Sequence, residues 1–257
     1  MTSSTFDYIQ VTMTATRRPE IVKRTLESFR NLMFGEEMRR MTIIINVDPV
    51  GHEIASVEVV NVAREYFRDV VSNCPEKPHF PTAFKWCWSK VTAPYIFNLE
   101  EDWELLTYVS VYKMIWLLSQ DPDLMILRLP FSPCYETNKS WGHYLNWNGL
   151  FYDVPEDKKG LLGFCGHPSL IRKAFVEKAL SIIDGVGNPE KQLKWRPGHE
   201  LMKYKYGVFG YPGMTAAVKD IGREWRVKNG WAKMDNNGND NNAFFTSWRK
   251  VNEQPTA

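Results

Sequence analysis

Residues 1–130 alternate between short apolar runs and amphipathic segments, and this alternation constrains the fold more than any other feature. The apolar, β-prone runs lie at 8–14, 41–47, 70–72, 95–99 and 124–129. Segments with apolar residues at helical spacing lie at 19–33, 54–67, 82–90 and 105–118. Repeated strand–helix–strand units predict an α/β fold, in which helices flank a mostly parallel sheet.

The pattern changes after residue 131. Aromatic residues, Gly and Asn dominate around Trp147 and Phe151, which predicts a smaller antiparallel part beside the main sheet. Helical spacing returns at 168–181 and 198–206, and 235–242 is a polar segment rich in Asn. We therefore expect a single domain over 1–257, with parts at about 1–130, about 131–230 and 231–257, the last being a polar loop and tail.

The composition is that of an ordinary globular protein, with 44% hydrophobic residues, 24% charged residues and a formal charge of +2. No apolar run approaches the ~20 residues that span a bilayer, and the N-terminus lacks the pattern of a signal peptide. The four cysteines show no C-x-x-C spacing, which is typical of reduced thiols. These features predict a cytoplasmic location, which is the host cytoplasm if the chain is phage-encoded.

Polar residues follow three of the predicted strands. They are the segment 14–18, Asp48 and the acidic run Glu100-Glu101-Asp102. In open α/β sheets, ligands bind beyond the carboxyl ends of the strands, so these residues are expected to converge on one site. Carboxylate oxygens suit Mg²⁺ or Mn²⁺, which keep positions free for substrate phosphates. Acids also favour the first turn of a helix, and that simpler interpretation of Asp102 stays open.

Several other functional classes lack their motifs. The chain has no G-x-x-x-x-G-K-[ST] phosphate loop, no G-x-S-x-G elbow and no H-x-x-x-H spacing. Gly185-x-Gly187 lacks a third glycine and follows a predicted helix rather than the first strand, so it does not indicate dinucleotide binding.

The order of the remaining motifs resembles that of a GT-A glycosyltransferase, closest to the family 2 type, over roughly 7–227. Residues 14–19 resemble the family's first strand–loop–helix, Asp48 the aspartate that reads the nucleobase, and Glu100-Glu101-Asp102 the D-x-D motif. The resemblance implies a Rossmann-like GT-A fold whose first half binds the nucleotide sugar and whose second half binds the acceptor. It implies donor contacts from Thr14, Thr16, Arg17, Arg18, Asp48, Glu100, Glu101, Arg223 and Arg226, and metal ligation by Asp102 and Asp220.

The resemblance also suggests an acceptor side. Glu200 resembles the family's catalytic acid residue, which takes the acceptor proton, and His199 is the second candidate for that base. The segment Gly163-Phe-Cys-Gly-His-Pro-Ser169 resembles the loop before the acceptor helix. The acceptor-side residues implied are Gly166, His167 and His199.

The activity implied is metal-dependent transfer of a hexosyl or pentosyl group from a nucleotide sugar, UDP-linked by preference, to a hydroxyl with inversion. Mn²⁺ or Mg²⁺ would neutralise the departing diphosphate. The acceptor is either a glycan or a hydroxymethylated base in DNA. The DNA option comes from the segment 223–250, which interleaves Arg and Lys with Trp and Phe. Two rivals stay open: a non-catalytic sugar-binding module on the same fold, and a nucleotidyltransferase.

Overall fold

The computed structural model of the chain describes residues 5–131, 144–193, 200–239, 241 and 245–251. Its strands are β1 (Ile9–Arg17), β2 (Thr42–Gly51), β3 (Asp69–Asn73), β4 (Tyr95–Glu100), β5 (Trp103–Leu105), β6 (Leu124–Arg128), β7 (Asn146–Trp147), β8 (Tyr152–Asp153), β9 (Ser169–Arg172), β10 (Lys205–Val208), β11 (Val218–Asp220), β12 (Trp231–Met234) and β13 (Ser247–Lys250). Its helices are α1 (Pro19–Phe29), α2 (Ser56–Arg64), α3 (Phe80–Ser89), α4 (Val111–Gln120), α5 (Lys159–Leu162), α6 (Lys173–Leu180), α7 (Pro189–Gln192) and α8 (Gly222–Lys228). No helix within these described ranges is both long enough and apolar enough to cross a membrane.

The main sheet has nine strands among the described residues, in the order β3-β2-β1-β4-β9-β6-β10-β8-β7. Strands β3, β2, β1 and β4 are parallel to one another, and β10 is parallel to β6. Strand β9 runs antiparallel between β4 and β6, and β8 and β7 form a short antiparallel edge. The predicted α/β fold, with a mostly parallel sheet and a smaller antiparallel part, is confirmed.

Each face of the sheet buries its own apolar cluster, because successive side chains of a strand point to opposite faces. In β2, Ile43 and Ile45 join the cluster that contains α1 and α2, whereas Ile44 joins the cluster of α3 and α6. All three isoleucines are 0% exposed. Burial of one such side chain stabilises a fold by about 1.5–3 kcal/mol. Helices on both faces therefore hold β2 firmly, together with the loop that follows it.

The long helix predicted over 105–118 is wrong at its beginning. Trp103–Leu105 forms β5, which pairs antiparallel with β11, and Leu105 lies opposite Val218. Helix α4 begins only after Ser110, whose hydroxyl oxygen accepts from the N–H of Lys113 at 3.2 Å. A pairing with a strand more than a hundred residues away overrides the local helical spacing of this segment.

The helices predicted over 168–181 and 198–206 are each partly wrong. Ser169–Arg172 is the central antiparallel strand β9, and only the part from Lys173 onward is helical. In the second segment, Glu200–Lys203 forms one 3-10 turn and Lys205–Val208 forms β10, while residues 198 and 199 lie outside the described ranges. Short apolar runs that are buried on both faces cannot be told from buried helices by periodicity alone.

Candidate functional site

The carboxyl ends of β1, β2 and β4 bring polar residues together at one edge of the sheet. In the register of these strands, Thr14 lies opposite Glu100 and Thr16 lies opposite Asp48. Glu101 follows the end of β4, and its backbone N–H donates to the carbonyl of Thr14 at 3.3 Å. Motifs that are far apart in the sequence therefore meet at one edge, where α/β sheets place their ligands.

Arg18 is the centre of a buried polar cluster at this edge. It is 2% exposed and donates to the carboxylate of Glu101, to Asp102 Oδ2 at 3.2 Å and to Thr16 Oγ1 at 2.8 Å. Burial by itself lowers the pKa of Arg18, but the carboxylates of Glu101 and Asp102 outweigh it and raise that pKa. The guanidinium therefore stays charged, with Glu101 as its internal counter-ion.

Two adjoining cavities open beside this cluster in the described part of the chain. Their volumes are about 210 Å³ and about 30 Å³. Both are lined by Arg18, Asp102, Lys233 and Trp248. The larger is also lined by Asp220, Gly222, Arg223 and Arg226. The smaller is also lined by Thr14, Ala15, Thr16, Asp48, Phe80, Glu100, Glu101 and Phe245.

Asp102 and Asp220 face the larger cavity from neighbouring chain segments. The backbone N–H of Ile221 donates to the carbonyl of Asp102 at 2.8 Å, and Asp220 lies opposite Trp103 in the β5–β11 pair. Gly222 allows this close approach, because a Cβ at that position would lie 2.0 Å from Asp102 Oδ2.

The donor set fits Mg²⁺ or Mn²⁺. These cations take oxygen ligands and are often held by one or two carboxylates, with water and substrate phosphates completing the shell. Asp102 and Asp220 supply two carboxylates to one cavity. Within the described ranges no group of three or more His, Cys, Asp or Glu side chains could hold a metal ion, and phosphate and water oxygens would add to the two carboxylates.

Asp48 lies at the end of β2 in the wall of the smaller cavity. Its carboxylate accepts from Asn46 Nδ2 at 2.8 Å and from the N–H of His79 at 3.1 Å. It is 4% exposed, and burial raises its pKa to about 6. A carboxylate held in this way is positioned to accept from a ligand N–H inside the cavity.

This raised pKa predicts a pH-dependent difference in stability between the wild type and Asp48→Asn. The folded chain binds the Asp48 proton more tightly than the unfolded chain does, so this group lowers stability as pH rises from about 4 through about 6. Between pH 4 and pH 7 the free energy of unfolding of the wild type should fall by about 2 kcal/mol relative to that of the variant. Urea unfolding at both pH values measures this. A difference that does not vary with pH would show that Asp48 titrates normally.

Glu100 and Gly166 face each other across the sheet edge. A Cβ on Gly166 would lie 2.4 Å from Glu100 Oε1, so a larger residue there would force the Glu100 carboxyl group to move. Burial and the nearby carboxylates of Asp102 and Glu190 raise the pKa of Glu100. Glu100, the first residue of the acidic run, therefore lies next to the loop that precedes β9.

His167 is a partly buried residue next to the site. Its ring contacts Trp103 and Phe131 at centroid distances of 4.8 and 4.5 Å. Burial lowers its pKa to about 4, so the imidazole is neutral at physiological pH. It lies in the aromatic layer behind Trp103, next to the edge, and it does not line the described walls of the two cavities.

Besides Gly166 and His167, two more of the predicted site residues do not line the cavities. Arg17 Nε donates to Ser56 Oγ at 3.0 Å, so this side chain turns toward α2. The carboxylate of Glu200 forms an ion pair with Lys178 of α6 and is 47% exposed. His199, the other candidate base, lies outside the described residues.

Glu190 is a residue next to the site that the sequence reasoning missed, although it does not line either described cavity. Its carboxylate accepts from the N–H of Gly166, and its charge acts on Glu100. Asn188 fixes the start of α7, since its Oδ1 accepts from the N–H groups of Glu190 at 3.0 Å and Lys191 at 3.3 Å. The signal that could have revealed it is Asn188-Pro189-Glu190, a typical helix start that places an acid in the first turn.

The C-terminal hairpin β12–β13 also contributes to the site, although the sequence predicted only a polar loop and tail there. The carbonyl of Thr246 accepts from the N–H of Phe80 at 2.8 Å, and that of Phe245 accepts from Asn188 Nδ2 at 3.0 Å. The rings of Phe80 and Phe245 are stacked at 4.6 Å. These contacts bring Lys233 and the ring of Trp248 into the walls of both cavities.

Among the aromatic residues of 223–250 that the structure describes, Phe245 is buried, and Trp225, Trp231 and Trp248 are partly buried. The Trp225 ring lies 5.0 Å from the guanidinium of Arg18, and its Nε1 donates to Glu20 Oε1 at 2.9 Å. The ring of Phe245 packs on those of Phe80 and Trp248, and its centroid lies 5.6 Å from that of Trp248. A row of exposed rings for stacking DNA bases is therefore not formed by these residues.

Comparisons with known proteins agree on the fold. No protein-family model and no curated sequence matches the chain. TarS 1–349 from S. aureus superposes with a TM-score of 0.55 at 10% identity, over 84% of this chain and 61% of that one. The same protein in complex with UDP superposes with a TM-score of 0.52 at 9% identity, over 80% of this chain and 59% of that one. The mannosyltransferase PcManGT from Pyrobaculum calidifontis, in complex with GDP-Man and Mn²⁺, gives 0.53 at 10% identity, over 87% and 61%.

This chain therefore spans about three fifths of the length of those structures. It has a GT-A-like glycosyltransferase fold.

Proposed function

We propose that this chain is a glycosyltransferase of the family 2 type, which moves a sugar from a nucleotide sugar to a hydroxyl acceptor. One observation carries the proposal: Asp102 and Asp220 share a cavity with Arg18, Arg223 and Arg226, and that cavity adjoins a second one that contains Asp48. Cations and paired carboxylates suit a metal-bound diphosphate, whereas the buried acceptor oxygens of Asp48 suit the N–H of a base.

The side chains of the larger cavity bind the leaving group. Arg223 and Arg226 donate to phosphate oxygens, and Arg18 holds Asp102 in place from the protein side. Asp102 and Asp220 would hold Mn²⁺ or Mg²⁺, which would neutralise the diphosphate as the anomeric C–O bond breaks. The complex of PcManGT with GDP-Man and Mn²⁺ supports this assignment by analogy of fold.

Two carboxylates are candidates for the base that takes the acceptor proton. Glu200 is favoured by the sequence resemblance, but it pairs with Lys178 on α6. Glu190 is favoured by position, because it contacts Gly166 and interacts with Glu100 at the sheet edge. We therefore assign the base to Glu190 and keep Glu200 as its rival.

Matched amide variants separate the two candidates. Glu190→Gln should lower turnover by about 10²–10⁴-fold while donor affinity stays close to that of the wild type, as expected for loss of a general base. Glu200→Gln should change turnover less than about threefold, since it breaks only a half-exposed ion pair. Initial rates and donor Kd values measure both effects. The opposite pattern would return the role to Glu200.

The acceptor is a hydroxyl, on a glycan or on a hydroxymethylated base in DNA. The comparisons give the DNA option no support, and the rings of Trp225, Phe245 and Trp248 are buried or partly buried. We therefore rank a glycan first. Mass spectrometry of glycan and DNA acceptors after incubation with donor distinguishes the two classes.

Binding of the nucleotide tests the proposal. Calorimetry with UDP and GDP, in Mn²⁺ and in EDTA, should show binding that is at least tenfold tighter with the metal, because the diphosphate needs its charge neutralised. Failure of both nucleotides to bind in the presence of Mn²⁺ would overturn it.

A further inference from the structure

Lys233 lies at the junction of the two cavities. It belongs to β12, opposite Trp248 of β13, and it lines the cavity of Asp102 and Asp220 as well as that of Asp48. The hairpin is fixed to the domain by the bonds of Thr246 and Phe245 described above. The ammonium is therefore held at this junction by the docked hairpin.

Lys233 lies among both aromatic and acidic side chains, and its positive charge acts on the carboxyl group of Glu100, which lines the smaller cavity with it. Its Nζ lies 4.2 Å from the ring centroid of Phe245 and 5.3 Å from that of Trp248. The described residues show no ion pair between Lys233 and a carboxylate, in contrast to Arg18, which pairs with Glu101 and Asp102. Aromatic faces stabilise a cation but accept none of its directed hydrogen bonds.

Two roles are compatible with this position. As a packing residue, Lys233 would only rest its aliphatic stem on the rings of the hairpin. As a binding residue, it would direct its three N–H donors to an anion in the adjoining cavities. The second role is favoured because Lys233 lines both cavities, and its charge then also offsets that of Glu100.

We propose that Lys233 binds the diphosphate of the donor, so that the C-terminal hairpin is part of the donor site. The assignment rests on the proposed function in one respect, namely that the ligand is a nucleoside diphosphate. With the base beside Asp48 and the phosphates beside Asp102, the ribose and the phosphate attached to it would lie at the junction that Lys233 occupies. Lys233 then supplies positive charge from β12, whereas Arg223 and Arg226 supply it from α8.

The test uses binding of UDP, GDP and uridine to the full chain in Mn²⁺. Lys233→Met keeps the aliphatic stem on the rings and removes the charge, and Lys233→Arg restores the charge. Lys250→Met is the matched control, because Lys250 is exposed on the same hairpin and does not line either cavity. The melting temperature of each variant checks that the fold is intact.

Lys233→Met should raise the Kd of UDP or GDP by about tenfold to a hundredfold, the usual effect of losing one hydrogen bond to a charged group. It should leave uridine binding within twofold of the wild type, and Lys233→Arg should recover most of the loss. Unchanged nucleotide affinity, or an equal loss for uridine and UDP, would overturn the role of Lys233 alone. A wild type that binds no nucleotide would overturn the proposed function together with it.

Discussion

Replacing Asp102 with asparagine should lower the rate of sugar transfer by at least about a hundredfold. The substitution keeps the size of the side chain and removes the charge that we assign to the metal. Asp102 and Asp220 are the two carboxylates of the larger cavity, so the loss of one halves the charge available to a divalent cation. Initial rates of nucleotide release, measured over a range of Mn²⁺ concentrations, give both the loss of rate and the loss of metal affinity.

Glu104→Gln is the matched control for that variant. Glu104 lies two residues further along the chain, pairs with Arg24 at 2.7 Å on the surface and does not line either described cavity. Its loss should change the rate less than twofold. Full activity of the Asp102 variant would remove this residue from the chemistry. The simpler interpretation, an acid in the first turn of a helix, is wrong, because Trp103–Leu105 is a strand and the next helix begins at Val111.

Replacing Arg18 with methionine should lower the free energy of unfolding by about 3–5 kcal/mol, because it leaves a buried carboxylate without its partner. Arg18 is 2% exposed and Glu101 is 5% exposed, and Arg18 also donates to Thr16 and Asp102. Methionine fills most of the space of the side chain, so the effect reports the charge rather than a cavity. Urea unfolding at pH 7 measures it.

Arg24→Met is the comparison for this prediction. Arg24 makes two hydrogen bonds to Glu104, at 2.9 and 2.7 Å, but its side chain is 54% exposed. An exposed pair of this kind should contribute less than about 1 kcal/mol. Equal losses in the two variants would mean that the Arg18 cluster is hydrated and does not behave as a buried charge network.

The part of the fold that could be predicted from the sequence is the part built by local patterns. Pro19 starts α1, and the isoleucines of β2 form a strand buried on both faces. Both follow from local sequence, namely the fixed φ of proline and a short continuous apolar run. The convergence of Asp48 with the acidic run also follows from strand order alone.

The missed features depend on pairings between distant segments. Leu105 became a strand residue because Val218 pairs with it, and Lys233 reached the site because Thr246 bonds to Phe80. No local spacing encodes either contact. Glu190 and Glu200 show the same limit, since both are acids in a first helical turn and only the fold separates the one beside Gly166 from the one beside Lys178.

The central claim is that this chain cleaves a nucleotide sugar, and nucleotide release from a panel of UDP-, GDP- and CMP-sugars tests it most directly. The panel is run with Mn²⁺ and with EDTA, on the wild type and on Asp102→Asn. We predict release from at least one donor that requires the metal and falls at least about a hundredfold in the variant. Binding of donors without release of nucleotide, in the presence of glycan and DNA acceptors, would contradict the claim and indicate a non-catalytic sugar-binding module.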